Sequence, residues 1–254
     1  GDKITDQSGG GNSGTVKGAK WTANGVRGGA YTFDGSSDKI TIPNSPSLDQ
    51  NGSFTISMWI DPRQTGVFSL LLYKGSANRN GPYKVQYQLA INDKNELSTY
   101  SGEESRRSSV PVTSDEWQCV ALVRNGNQCI FYRNGTSNAV SISASTNTYY
   151  DVTLGGGPNA GHYIGSIDEV SIYNRALSAI EVANLAGGRY AVGSTSTATQ
   201  TLGANLTAAT LALDSGNINT SNRNVTITNL VTLANGNGSF TAGSGTIALN
   251  GGLT

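Results

Sequence analysis

Few side chains of the sequence have the types and spacing that catalysis needs. Asp168 and Glu169 are adjacent, as are Glu103 and Glu104, and neighbouring residues of a strand point to opposite faces. A retaining glycosidase needs two carboxyl groups about 5 Å apart. The one histidine, His162, lies in a glycine-rich segment, and no G-x-S-x-G motif occurs. The sequence predicts a protein that is not an enzyme, and a glycoside hydrolase is the catalytic alternative.

Aromatic side chains in predicted loops favour sugar binding, because a glycan site needs an exposed aromatic platform with polar groups beside it. The candidate ligand-binding residues are Tyr73, Tyr83, Tyr100, Arg106, Tyr149, Tyr150 and His162. Tyrosine is also common in the packed parts of β-sheets. For each tyrosine, a place in the core or at its rim is therefore the alternative to ligand contact.

Short strands and one helix must position these residues. Alternating apolar residues predict a strand that faces a core at Phe54, Ile56, Met58 and Ile60. Residues 165–185, GSIDEVSIYNRALSAIEVANL, predict another strand followed by a helix. Ser178 and Glu181 have the spacing of a capping box, so the helix should start after Ser178. Gly187 and Gly188 are expected to end it.

The two cysteines, Cys119 and Cys129, fall in one predicted hairpin. A two-residue turn at Asn125 and Gly126 would place Cys129 opposite Leu122. The two thiols would then point to opposite faces of the hairpin. This geometry favours two free thiols over a disulfide, which remains the alternative.

Five segments in the same order resemble the laminin-G-like, concanavalin-A-like jelly-roll family. They are Asp6–Gly14 (DQSGGGNSG), Trp21–Gly35 (WTANGVRGGAYTFDG), Ile40–Pro62 (ITIPNSPSLDQNGSFTISMWIDP), Trp117–Gly135 (WQCVALVRNGNQCIFYRNG) and Gly165–Leu185. The resemblance implies an all-β antiparallel jelly-roll β-sandwich with one short C-terminal helix. It also implies a secreted or cell-surface protein, often one that binds calcium.

The same resemblance points to a calcium site. Its family positions are Asp34 in FDG and Asp168 in SIDE, and Asp6 in the glycine-rich opening is a third candidate ligand. Ca²⁺ prefers six to eight oxygen ligands such as carboxylates and backbone carbonyls. The alternative is that these aspartates only cap turns. Trp21 and Trp117 occupy framework positions of the family, and we assign them to packing.

Composition changes near residue 191 and predicts a second unit. We expect the sandwich over residues 1–191, a polar linker over 192–200 and a short β-solenoid-like segment over 201–254, cut from a longer array. Short alternating runs broken by glycine and asparagine, such as NVTITNLVTLANG, favour the solenoid over a disordered linker. The segment loosely resembles the repeat regions of large bacterial surface adhesins.

The charge balance narrows the class of partner. Lysine plus arginine and aspartate plus glutamate both number 17, which argues against nucleic acid as a partner. No apolar run approaches the roughly 20 residues of a membrane span. The sequence thus predicts a secreted or cell-surface recognition or adhesion module, stabilised by Ca²⁺, that binds carbohydrate or a surface protein. The alternative is a structural subunit of a surface layer or filament that self-associates through its tail.

Overall fold

The chain divides into two compact units, Gly1–Val192 and Gly193–Thr254, in a computed structural model. The structure describes residues 2–64, 66–76, 85–101, 104–143, 149–157 and 161–186, and after these only the backbone of six strands between residues 199 and 249. Tyr83, Gly187 and Gly188 lie outside the described residues. Among the described residues, no helix is long and apolar enough to cross a bilayer.

The described part of the first unit is an antiparallel β-sandwich of the jelly-roll type, as predicted. Its elements are β1 (Lys3–Ile4), β2 (Gly14–Lys17), β3 (Lys20–Thr22), β4 (Ala30–Asp34), β5 (Lys39–Ile42), β6 (Phe54–Pro62), β7 (Ser69–Gly75), β8 (Val85–Ile91), β9 (Glu96–Ser101), β10 (Glu104–Pro111), β11 (Gln118–Asn125), β12 (Gln128–Arg133), β13 (Thr136–Ser141), β14 (Val152–Leu154), β15 (Ile164–Tyr173) and α1 (Ala179–Leu185). One sheet has eight strands in the order β1-β2-β5-β14-β7-β8-β9-β10, and the other has seven in the order β13-β12-β11-β6-β15-β4-β3.

Strand β6 is buried on both of its faces. Phe54, Ile56, Met58 and Ile60 face the core between the sheets and are at most 1% exposed, which confirms the predicted alternation. The opposite face is also covered, because the hydroxyl of Thr55 bonds to the backbone of the segment that leads into α1. The strand is therefore a central element of the fold.

Helix α1 begins where the capping box predicts. The Ser178 hydroxyl accepts the backbone N–H of Glu181, and the Glu181 carboxylate accepts the backbone N–H of Ser178. The helix ends at Leu185 and is followed by the C-cap Ala186; the role of Gly187 and Gly188 in ending it stays a prediction, because they lie outside the described residues. The prediction of the helix and of its start is confirmed.

The hairpin of β11 and β12 keeps the two cysteines apart. Asn125 lies opposite Gln128, so the turn is one residue later than the Asn125–Gly126 turn considered from the sequence. Cys129 is therefore opposite Arg124 and lies in the core between the sheets, whereas Cys119 packs on the other face of the sheet. Both thiols are free and point to opposite faces, as predicted.

The second unit is described only as backbone strands. They are β16 (Thr199–Thr201), β17 (Leu206–Leu213), β18 (Gly216–Asn219), β19 (Val225–Leu233), β20 (Gly238–Thr241) and β21 (Ile247–Leu249). These described strands alternate between two parallel sheets, in the orders β16-β18-β20 and β17-β19-β21. The solenoid and the linker over 192–200 stay predictions, and β16 includes the last two residues of that range.

Candidate functional site

The carboxylate of Asp168 holds a loop in place. Its Oδ2 accepts the backbone N–H groups of Val26 at 2.7 Å and Arg27 at 3.1 Å. Its Oδ1 accepts the N–H of Glu169 at 2.8 Å. Glu169 has a φ of 51°, at an irregularity in the pairing of β15 with β6. The bulge therefore turns the Asp168 side chain toward the loop that precedes β4.

Asp34 lies at a different level of the sheet from Asp168. It is opposite Ile164 in the register of β4 and β15, four residues before Asp168, which corresponds to roughly 13 Å along the strand. The exposed Asp34 carboxylate accepts the N–H of Ser36, which lowers its pKa. The two aspartates are not brought together.

Asp6 caps its own glycine-rich turn. Its carboxylate accepts the N–H groups of Ser8 and Asn12, and hydrogen bonds from Ser8 and then Asn12 lower its pKa. The described residues contain no group of three His, Cys, Asp or Glu side chains that could hold a metal ion. Asp34 and Asp168 are separated along β15, and calcium binding by the chain stays a prediction.

Two of the candidate tyrosines lie on the outward face of the eight-stranded sheet. Tyr73 is opposite Thr153 of β14 and Gln88 of β8. It is buried, and its hydroxyl donates to the carbonyl of Ser76 at 2.9 Å. Tyr100 is half-buried against the apolar cluster that contains Tyr73. Both tyrosines pack against their neighbours and do not form an open platform.

Arg106 and His162 lie away from those tyrosines. The Nε of Arg106 donates to the carbonyl of Ser141 at 2.7 Å, which ties β10 to β13 of the other sheet. His162 is half-buried, and its Nδ1 is buried without a hydrogen-bond partner among the described residues. It follows Gly161, whose carbonyl accepts the N–H of Leu70 near the start of β7.

The remaining candidates, Tyr149 and Tyr150, project into solvent at the other end of β7. Tyr149 is 87% exposed and Tyr150 is 41% exposed. Beneath them lies Lys74, whose side chain is 0% exposed. Its Nζ donates to the carbonyl of Tyr150 at 2.9 Å and to the side chain of Asn44, and it lies 3.2 Å from the Oδ1 of Asp49. We call these five residues the tyrosine rim.

Further contacts fix the two chain segments that form the tyrosine rim. The N–H of Asn44 donates to the carboxylate of Asp151 at 2.9 Å, which joins the segments directly. A 3₁₀ turn at Pro46–Leu48 follows Asn44, and the hydroxyl of Tyr87 donates to its last carbonyl, that of Leu48, at 2.9 Å. The exposed tyrosines therefore stand on a well-anchored base.

The polar members of the tyrosine rim were not predicted from the sequence. The available indication was Lys74, which follows the run Leu70–Tyr73 (LLLY) in a strand, because a buried ammonium group requires partners. Asn44 and Asp49 are distant in sequence, so the partners could not be named without the fold.

One packing assignment was wrong. Trp21 is 64% exposed, because it lies on β3, the edge strand of the seven-stranded sheet. The assignment of Trp117 to packing agrees with the structure, since it packs half-buried against Trp59 and Cys119.

A model of the concanavalin A-like lectin/glucanases superfamily matches residues 34–183. The chain belongs to this superfamily. The match covers the sandwich from the end of β4 to α1 and includes every residue of the tyrosine rim. No curated protein sequence matches the chain.

Solved structures share the superfamily fold at low sequence identity. The binding domain of Paraclostridial mosquitocidal protein 1 is 20% identical over 71% of this chain and 48% of that one, with a TM-score of 0.56. Domain 4 of AbnA, an extracellular GH43 arabinanase from Geobacillus stearothermophilus solved with arabinotriose, is 19% identical over 68% and 87%, with a TM-score of 0.56. Trypanosoma rangeli sialidase in complex with sialic acid is 16% identical over 70% and 30%, with a TM-score of 0.55. The chain thus spans about half of the mosquitocidal binding domain.

Proposed function

We propose that the sandwich is a non-catalytic carbohydrate-recognition domain that binds glycans at the tyrosine rim. The observation that carries this proposal is the exposed Tyr149–Tyr150 pair on a segment held by the buried Lys74. An exposed aromatic ring stacks on the apolar face of a sugar, and nearby polar groups bind its hydroxyls. Asn44 and Asp49 are half-buried at the same place and supply such groups.

Anchoring of the tyrosine rim favours affinity. Binding loses free energy when flexible groups must be ordered, and a site that is already held loses less. Lys74 joins the backbone of Tyr150 to both Asn44 and Asp49. The site therefore offers its ring surface and polar groups in a fixed arrangement.

The structural neighbours support a glycan as the ligand by analogy of fold. The AbnA domain was solved with arabinotriose and the sialidase with sialic acid. Such ligands are met outside the cell, so we also propose a secreted or cell-surface location.

The contacts of the acidic pair Asp168 and Glu169 support a binding role without catalysis. Asp168 accepts three backbone N–H groups, and Glu169 forms an ion pair with Arg27 at 3.6 Å. These carboxylates lie on adjacent residues and serve local structure, which supports recognition over hydrolysis.

A glycan array that includes arabinotriose and sialylated oligosaccharides tests the proposal, followed by calorimetry on the bound sugars. We expect the double variant Tyr149→Ala/Tyr150→Ala to bind about tenfold more weakly or worse, since each stacked ring contributes up to roughly 1.5 kcal/mol. Phe68→Ala is the matched control, because Phe68 is 46% exposed and lies beside Gly161 at the other end of β7. Unchanged affinity in the double variant would contradict the tyrosine rim as the site.

A second candidate function is assembly through the tail. Strands β20 and β21 each pair with one neighbour among the described strands, and an open strand edge can pair with another chain. We expect concentration-dependent association of the full chain in sedimentation, lost after deletion of residues 193–254. A monomer at all concentrations would exclude this role.

A further inference from the structure

The indole of Trp21 is exposed to solvent and rests against the backbone of Gly29. A Cβ atom added to Gly29 would lie only 2.3 Å from its Nε1 and 2.7 Å from its Cε2, so the ring rests directly against the glycine backbone. The side chain is nevertheless 64% exposed. Large aromatic side chains usually bury most of their area, so packing alone does not account for this ring.

The loop beside Trp21 is held by the Asp168 carboxylate. Asp168 fixes the backbone N–H groups of Val26 and Arg27, and the N–H of Gly25 donates to the carbonyl of Gly28 across the turn. Gly29, the seat of the indole, follows immediately. These hydrogen bonds fix the backbone that leads into Gly29, and they therefore help to position the indole that rests on it.

A cavity of about 330 Å³ opens next to the same glycine. Its walls are the apolar side chains of Ile4, Phe33, Ile40, Leu154, Ile167 and Val170. Its polar lining comes from Thr5, Gln7, Asp168 and Glu169, and Gly29 is part of the lining. Sites for small ligands have roughly 300–1,000 Å³, with mostly apolar walls and a few polar groups. The cavity meets both conditions.

We propose that the cavity lined by Gly29 and Glu169, together with the Trp21 indole that rests against Gly29, is a second carbohydrate-binding site of the domain. The apolar face of a sugar ring stacks on the indole, and its hydroxyls bond to Gln7, Thr5 and the Glu169 carboxylate, which stays exposed beside its ion-pair partner Arg27. The inference takes its ligand class from the proposed function, but it uses none of the residues of the tyrosine rim. The cavity is lined by residues of β1, β4, β5, β14 and β15, and Gly29 is both part of its lining and the residue against which the Trp21 indole rests.

Quenching of tryptophan fluorescence by acrylamide tests this site directly. Trp59 is buried and Trp117 is half-buried, so the quenchable emission comes mainly from Trp21. The probes are arabinotriose, xylotriose, cellotriose and sialyllactose, added to the full chain. We expect at least one of them to protect the emission, and we expect the Tyr149→Ala/Tyr150→Ala variant to show the same protection.

Two variants test whether binding requires only the presence of the indole or also its position against Gly29. Trp21→Ala removes the ring, and Gly29→Ala keeps the ring but displaces it from its seat. Calorimetry should show about tenfold weaker binding at this site in both variants, with Phe68→Ala unchanged as the control.

The outcomes separate this site from the tyrosine rim. If a sugar binds but does not protect Trp21 from quenching, and Trp21→Ala leaves its affinity unchanged, the second site is overturned. The tyrosine rim is then still supported. Binding that is lost in Trp21→Ala and kept in the tyrosine double variant would support the second site alone. Self-association abolished by Trp21→Ala, without protection by sugar, would make this surface a contact between copies and overturn the proposal. Binding of none of the four probes, by calorimetry, would overturn both sites for these ligand types.

Discussion

Three backbone N–H groups donate to the Asp168 carboxylate. Of the candidate calcium ligands Asp6, Asp34 and Asp168, only Asp168 holds a distant loop in place. Asp6 and Asp34 each cap a local turn. Asp168 instead connects β15 to a loop more than 140 residues earlier in the chain. The aspartate of the SIDE motif therefore has a structural role in this chain, which is to hold the loop at Val26 and Arg27.

We expect Asp168→Asn to lower the free energy of unfolding by about 2 kcal/mol, because the side chain loses its charge and turns a donor toward other donors. Urea unfolding in calcium and in chelator measures this loss, with Asp34→Asn as the exposed control. The loss should be equal in both buffers. A loss confined to the calcium buffer would assign the carboxylate to a metal ion.

Glu181 should make stability depend on pH in the acid range. The Arg175 guanidinium, followed by the Ser178 backbone and hydroxyl, lowers its pKa to about 2, from 4.5. Since the pKa is lower in the folded chain, the stabilisation is complete above about pH 4.5 and is lost as the pH falls toward 2.

The test is the urea midpoint of Glu181→Gln against the wild type across this pH range. We expect a lower midpoint for the variant at about pH 6 and convergence of the two near pH 2. Asp2→Asn is the control, because Asp2 is exposed and its side chain forms no hydrogen bond to the described residues. A difference that stays constant with pH would contradict the assignment.

At the scale of elements, Lys74 couples the end of β7 to two separate chain segments. Lys74→Met should lower the free energy of unfolding by about 2–3 kcal/mol, because it leaves Asp49 and the Tyr150 carbonyl without their buried partner. It should also weaken glycan binding, although it touches no exposed ring. Lys94→Met, at an exposed position, is the control for urea unfolding and calorimetry. Full stability together with full affinity in Lys74→Met would show that the segment is held by other contacts.

Local patterns predicted the elements, and distant contacts decided the details. The alternation in β6 and the capping box at Ser178 depend only on neighbours in sequence, and the structure confirms both predictions. The turn after Asn125 and the bulge at Glu169 depend on pairing with other strands. The sequence could not place them, because both depend on which residues of the neighbouring strands pair with each other.

The same limit applies to the candidate site. Tyr149 and Tyr150 were predicted as ligand residues, and their exposure agrees with that hypothesis. Tyr73 was predicted on equal grounds but is buried, because the sheet places it between Thr153 and Gln88. Exposure is a property of the assembled sheets, and residue type alone does not determine it.

At the scale of the whole molecule, the superfamily match lies entirely within the first unit. We expect a chain that ends at Val192 to unfold cooperatively, with a free energy within about 0.5 kcal/mol of that of the sandwich in the full chain. It should keep its glycan affinity. Urea unfolding followed by fluorescence and calorimetry check both points, since all three tryptophans lie in this unit. A molten or aggregated product would show that the sandwich needs the second unit.

The placement of the two thiols on opposite faces of one hairpin makes them separate reporters of native-state opening. Burial raises the pKa of both Cys119 and Cys129 to about 11, so neither should react with alkylating reagents at neutral pH while its surroundings stay closed. Cys119 lies beside Ala186 at the end of α1, whereas Cys129 lies between the sheets. Modification of Cys119 alone would time the local release of the helix, and modification of Cys129 would time the separation of the two sheets.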